Sequence, residues 1–118
     1  MFVEPLNFVY YPDIVVTCDP EDNDDYLVKR PVLVVEVESP STATIDRREK
    51  LMAYRKVESL REYLRLSQDS INAEIHRRDD SGNWWSEEVG AGQELRIESV
   101  GLSVALPVLY EGVELPRV

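Results

Sequence analysis

The sequence has 118 residues, 43% of them hydrophobic, which allows one domain with its own core and leaves little room for two. Two Trp, six Tyr and two Phe argue against a disordered chain. The net charge of −10 counts against a strong nucleic-acid binder, because duplex binding rests on neutralising phosphates.

The charge is unevenly placed. Residues 1–28 hold seven acids and no Lys or Arg, and residues 79–118 hold eight acids and two Arg. The stretch 29–78 holds eleven Lys/Arg against eight acids, so the basic residues concentrate in the middle of the chain. That pattern reads either as a solvated surface with acidic ends or as a central basic region able to meet phosphate. No apolar run approaches the roughly 20 residues that span a membrane. The start, Met-Phe-Val-Glu-Pro, lacks the basic and apolar regions of a signal peptide. One cysteine, Cys18, cannot form an internal disulfide; it reads as a small buried hydrophobe, and the cytoplasm is the expected compartment.

In chain order, Asp13-Ile-Val-Val16 follows a proline and predicts a short buried strand. Pro20 to Tyr26 is an acidic loop rich in turn residues. Pro31 to Glu38 (Pro-Val-Leu-Val-Val-Glu-Val-Glu) is the clearest strand, and its continuous apolar run predicts burial on both faces. Ser39-Pro-Ser-Thr42 breaks it, and good helix formers then predict a helix from about Asp46 to Lys56, with Ile45, Leu51, Met52 and Val57 on its apolar side. Glu62 to Ser67 alternates, and so does Ile71 to Arg77, with Ile71, Ala73 and Ile75 on one face. Asp79-Asp-Ser-Gly82 turns into a returning strand, Asn83 to Val89, and Leu95 to Ile97 is a further short strand. Leu102 to Tyr110 is ambiguous, Pro107 limiting any helix to its C-terminal side. The expected fold is a single domain over residues 1–118 of the α/β (α+β) class: a mixed sheet, one main helix after the Glu36 strand, and a C-terminal β-meander. One helix covers one face of a sheet, so self-association is expected to cover the other.

Acids on buried strands need a partner or a metal. Asp13 opens one Val-rich strand, and Glu36 and Glu38 lie near the end of another, sharing one face while Val35 and Val37 share the other. Such carboxylates repel one another unless a cation or protons intervene, and their oxygens suit Mg²⁺ or Mn²⁺. The alternative is that both strand ends reach solvent and the acids are edge residues. Lys50 lies in the following helix, with Arg47 and Tyr54 on the same side. An ammonium there can orient a metal-activated water and meet charge growing on a phosphate; alternatively Lys50 forms an exposed ion pair with Asp46. Ser39 offers a hydroxyl to phosphate or merely makes the strand-to-helix turn. His76 sits opposite the Ile face and is expected to be exposed. Trp84-Trp85 suits packing, or stacking on bases. Neither a Gly-rich phosphate loop nor a zinc-spaced Cys/His set is present, which argues against a nucleotide cofactor and zinc.

Four segments in order resemble the Uma-two family of the PD-(D/E)XK restriction-endonuclease-like superfamily. They are Tyr11-Pro-Asp13-Ile-Val-Val; Pro31-Val-Leu-Val-Val-Glu36-Val-Glu38-Ser39-Pro-Ser-Thr; Asp46-Arg-Arg-Glu-Lys50-Leu-Met-Ala-Tyr54; and Leu60-Arg-Glu-Tyr63. The resemblance runs from about Phe8 to Ser67 and is looser beyond. It implies a restriction-endonuclease-like sheet, with Asp13 as the acid of the PD element and Glu36 as the acid of the (D/E)XK element, both metal ligands. The Val37 backbone carbonyl is implied as a third ligand, and Glu38 as a further one or as a holder of Lys50. The superfamily Lys stands two residues after the acid, where this sequence has Glu38, and Lys50 is the implied replacement. Ser39, Asp46, as an N-cap or a holder of Lys50, and Tyr54, on the Lys50 side of the helix, are expected supporting residues read from the sequence itself. The activity implied is Mg²⁺- or Mn²⁺-assisted phosphodiester hydrolysis, with DNA as the expected partner and no membrane. Members of that family begin with a substantial N-terminal region, whereas this sequence starts almost at the PD strand. That departure leads to an expected homodimer and to a competing reading: an inactive, shortened relative acting as a dimeric interaction or regulatory protein. A third reading is a single-strand binder using Trp84, Trp85 and the central basic residues.

Overall fold

A computed structural model of the chain describes residues 1–3, 6, 8–9, 12–22, 28–38 and 44–112. Its strands are β1 (Phe2–Val3), β2 (Phe8–Val9), β3 (Ile14–Thr17), β4 (Pro31–Glu38), β5 (Glu62–Ser67), β6 (Asn72–Arg78), β7 (Trp84–Gly90), β8 (Glu94–Ile97) and β9 (Leu102–Ala105). The helices are α1 (Thr44–Tyr54) and a single turn, α2 (Leu106–Leu109). Strands β3 to β7 form one sheet in sequence order. β4 and β5 are parallel and every other pair in it is antiparallel. A parallel pair needs a crossover, and α1 supplies it. This is the expected α+β restriction-endonuclease-like arrangement.

Each face of the sheet has its own core. Alternation sends Val34 and Tyr63 to one face, where they pack with Ala53, Tyr54, Val57 and Leu60 of α1 and its exit, and with Met1 and Val3. It sends Leu33, Val35, Leu64, Ala73, Ile75 and Val89 to the other, where Leu95, Ile97 and Leu106 close over them. The second face is therefore covered by the chain's own β8–β9 pair and α2. The bare face that led to an expectation of self-association does not exist, because residues after Gly90 fold back over it. Tyr110 pins the end of this cover, its hydroxyl donating to the carbonyls of Ser67 at 2.7 Å and Asn72 at 3.0 Å.

Several local expectations change. The helix runs two residues earlier than expected at both ends. Met52 is exposed, while Ala53 and Tyr54 are buried, because only part of the apolar series falls at true helical spacing. The carbonyls at the helix exit are met by the Arg78 guanidinium, which reaches Arg55 O at 2.9 Å, Val57 O at 3.1 Å and Glu58 O at 2.5 Å. The strand expected from Asp13 begins at Ile14 and is an edge strand rather than a buried one; Ile14 is 53% exposed. Cys18, just beyond that edge strand, is exposed rather than buried. Leu102 to Tyr110 splits into β9 and α2, with Pro107 in the first turn, where its missing N–H costs nothing. Part of the acidic loop, 23–27, and Ser39 lie outside the described residues. Among the described residues, no helix is long and apolar enough to cross a membrane.

Candidate functional site

The α1-side face of the central sheet carries a block of buried polar residues, placed by register. Pairing sets Val34 beside Tyr63 and Glu36 beside Arg65 on the parallel side, then Tyr63 beside His76 and Arg65 beside Glu74 on the antiparallel side. Residues opposite one another point to the same face. Glu36, Glu38, Tyr63, Arg65, Glu74 and His76 thus share one surface under α1.

Glu36 is the centre of this block and is 3% exposed. The Tyr54 hydroxyl, from the last turn of α1, donates to its Oε1 at 2.6 Å. The Tyr63 hydroxyl, from β5, donates to its Oε2 at 2.8 Å. Lys50 Nζ lies 3.5 Å from the same Oε2. Burial, reinforced by the Glu36 carboxylate, pushes the Tyr63 phenol far above its ordinary value, so it remains a donor. Lys50 is one α1 turn before Tyr54, which is why both reach the same carboxylate.

Asp13 precedes β3. The ladder pairs Ile14 with Val35, so the next step brings Asp13 alongside Glu36. Asp13 is exposed, and its Oδ2 accepts the Val37 N–H at 2.8 Å. Val37 itself is 50% exposed, so the strand end reaches solvent here. Glu38 points away from this pair of acids toward β5 and β6: its Oε2 lies 3.1 Å from Arg65 Nε, and Arg65 also meets Glu74 Oε1 at 3.2 Å. The structure therefore brings together Glu36, Lys50 and Tyr54, sets Asp13 beside them, and ties Glu38 to Arg65. The side chain of Asp46 lies outside the described residues, as does Ser39. Among the described residues, no three His, Cys, Asp or Glu side chains are placed to hold a metal ion together.

His76, expected at the surface, is 5% exposed. The face opposite Ile75 is the one under α1, not solvent. Its ring stacks on Tyr63 with centroids 5.7 Å apart, and Nε2 lies 2.6 Å from Glu74 Oε1. The carboxylate only accepts, so Nε2 carries the proton and Nδ1 is the bare nitrogen; Nδ1 is buried with no hydrogen-bond partner among the described residues. Protonating Nδ1 would bury an unmet N–H. Accordingly burial pulls the imidazole below its ordinary 6.5, against the raising effect of Glu74. The folded state then binds fewer protons than the unfolded one as the pH falls through this window. The His76 contribution to stability is therefore complete above about 6.5 and is lost as the pH falls through the lower folded value. Thermal melts between about pH 7 and pH 5 are expected to drop more for the wild type than for His76→Gln; equal drops would refute the assignment.

The two tryptophans separate. Trp84 packs against the α1-side core with the Arg78 guanidinium 4.8 Å from its ring centroid, whereas Trp85 is exposed on the other face beside Arg77. Strand alternation puts them on opposite faces, so they cannot form the joint stacking platform that a single-strand binder would need.

Sequence reasoning did not mark Tyr63, Arg65 and Glu74 as part of this block. Their polar alternation was visible, but which strands lie side by side was not.

The Uma2 family model, described as "Putative restriction endonuclease", matches residues 3–108. Uncharacterized protein slr1290 of Synechocystis sp. is 39% identical over 103 residues, covering 86% of this chain and 54% of that protein. Uncharacterized protein sll1609 of the same organism is 32% identical over 92 residues, covering 75% of this chain and 51% of that protein. The chain spans about half the length of these curated relatives. With its β4 acid held between helix and sheet, the chain belongs to the Uma2 family, a nuclease-like family of the PD-(D/E)XK restriction-endonuclease kind.

Proposed function

We propose that this chain carries the catalytic region of a Mg²⁺- or Mn²⁺-dependent endonuclease that hydrolyses phosphodiester bonds in DNA. The observation that carries the reading is the approach of Lys50 Nζ to within 3.5 Å of Glu36 Oε2. Position 38, where the superfamily keeps its Lys, holds Glu38, and α1 returns an ammonium to the acid from elsewhere in the chain. In this reading Asp13, Glu36 and the Val37 carbonyl hold the ion.

The donor set suits such an ion. All three are hard oxygen ligands, and Mg²⁺ takes only one or two protein carboxylates, completing its shell with water and substrate phosphate. A closed cage of three or more acids is not required, in keeping with the absence of such a cluster among the described residues.

When bound, the ion supplies a polarised phosphoryl oxygen and a water acidic enough to attack near neutral pH. Lys50 orients the attacking water and stabilises the negative charge that grows on the phosphate. Asp13 is exposed at the strand end, where a substrate phosphate can reach it in this reading. The hydrolysis needs no covalent link between enzyme and DNA.

A second reading, a non-catalytic interaction or regulatory protein, is favoured by one observation: Glu36 is deeply buried and both its oxygens already accept phenol protons. Nicking of supercoiled plasmid at low salt separates the two. The nuclease reading expects Mg²⁺- or Mn²⁺-dependent nicking that is lost in Asp13→Ala and strongly reduced in Lys50→Ala, each still folded by circular dichroism. No nicking by folded wild-type protein with either ion would transfer the assignment to the second reading.

A further inference from the structure

We infer that Tyr54 and Tyr63 act together as positioning residues that fix the Glu36 carboxylate for a divalent cation; this rests on the metal-binding reading of Glu36 given above. The two phenols come from different elements, one from the end of α1 and one from β5, and reach different oxygens of one carboxylate, at 2.6 Å and 2.8 Å. A single donor would leave the carboxylate free to turn about its last torsion. Two donors, one on each oxygen, oppose that rotation.

The phenols are themselves held. Both rings are buried, and they meet edge to face with centroids 4.9 Å apart at 75°. Behind Tyr63 stands His76, stacked at 27°, and behind His76 stands Glu74, bonded to Arg65, which also grips Glu38. The fixing of Glu36 is thus braced across β4, β5 and β6. A polar network this deep beneath a helix is costly to desolvate, and an apolar filling of the same volume would fold as well. Its arrangement is explained if orientation of one carboxylate is what it serves.

The arrangement also leaves room for a ligand bond. A carboxylate oxygen has two lone pairs, and among the described residues Oε1 accepts only the Tyr54 proton, whereas Oε2 is shared by Tyr63 and Lys50. Oε1, on the Tyr54 side, is therefore the oxygen available to a cation. Hydrogen-bond partners that orient metal-ligating groups commonly carry 10–100-fold of metal affinity.

The test is Mn²⁺ binding, by calorimetry and by the electron paramagnetic signal of the free ion, on wild type, Tyr54→Phe, Tyr63→Phe and Glu36→Gln, each checked for fold by circular dichroism and urea denaturation. Removing either hydroxyl is expected to weaken Mn²⁺ binding by about tenfold in folded protein, and Glu36→Gln to abolish it. A second readout, which a merely structural role would not move, is the tyrosine ultraviolet difference spectrum on adding Mg²⁺. It is expected in wild type, reduced in each Phe variant and absent in Glu36→Gln. If Tyr63→Phe fails to fold, Tyr54→Phe alone decides. Unchanged Mn²⁺ affinity in a folded Phe variant, with binding lost in Glu36→Gln, would overturn the inference and leave the nuclease reading standing. No Mn²⁺ binding by wild type would overturn both.

Discussion

Replacing Glu36 by Gln is expected to lower metal-dependent plasmid nicking by about two to three orders of magnitude while leaving the fold intact. Gln keeps the shape of the side chain and an acceptor oxygen for one phenol, and the other phenol can rotate its O–H to accept from the new amide. What it removes is charge. In the nuclease reading a bound ion loses an anionic ligand, and Lys50 loses the carboxylate 3.5 Å away. Stability is expected to be equal or slightly raised, since a buried charge gives way to a neutral group. Nicking rates over a range of Mn²⁺ concentrations, with melting temperatures measured in parallel, check this. Cleavage at the wild-type rate would remove Glu36 from the chemistry. A melting temperature far below wild type would instead make Glu36 a structural residue.

The largest effect on stability is expected on the opposite face of the sheet. Arg77 is 4% exposed and bonds to the Glu62 carboxylate at 3.1 Å, to Glu87 at 2.8 Å and to the backbone carbonyl of Arg96. Glu62, equally buried, also accepts the N–H groups of Glu98 at 3.1 Å and Ser99 at 2.6 Å. This pair therefore fastens β8 and the 3₁₀ turn Glu98–Val100 to the central sheet. Arg77→Ala leaves the Glu62 carboxylate buried with only two backbone donors, and is expected to cost about 3–5 kcal/mol. That is a large part of what a domain this size has. Adding Glu62→Gln to Arg77→Ala removes the stranded charge and is expected to recover part of the loss, a coupling that a double-mutant cycle in urea measures. A loss below about 1 kcal/mol, or no recovery in the double variant, would mean that the hairpin is held by its apolar contacts alone.

The elements themselves were legible. The Val-rich run of β4 and the alternation of β5 coincide with the observed strands end for end, because extended backbone leaves a local signal in β-favouring residues and in period-two patterning. The Ala73–Ile75 face was legible for the same reason. Asp13, Glu36 and Lys50 stood out because ionisable groups are unusual next to buried strands and because their order matched a known pattern of segments.

Their surroundings were not legible. Whether the face opposite Ile75 met water or protein depended on where α1 lay, so His76 was placed at the surface when it is in fact stacked on Tyr63. That Glu38 meets Arg65, which also meets Glu74, followed only from the β4–β5 and β5–β6 registers. The second face seemed bare until β8, β9 and α2 folded across it. Periodicity along one strand is local and can be read residue by residue. Which strand lies beside which, in what register, and what returns to cover a face are decided by contacts between residues far apart in sequence. For this protein, the sequence alone determined the strands of the central sheet and the crossover helix, and it marked the acids of the candidate site. Only the tertiary structure decided that Glu36 sits between two phenols and an ammonium, because those donors come from separate elements that meet only when α1 packs on the sheet.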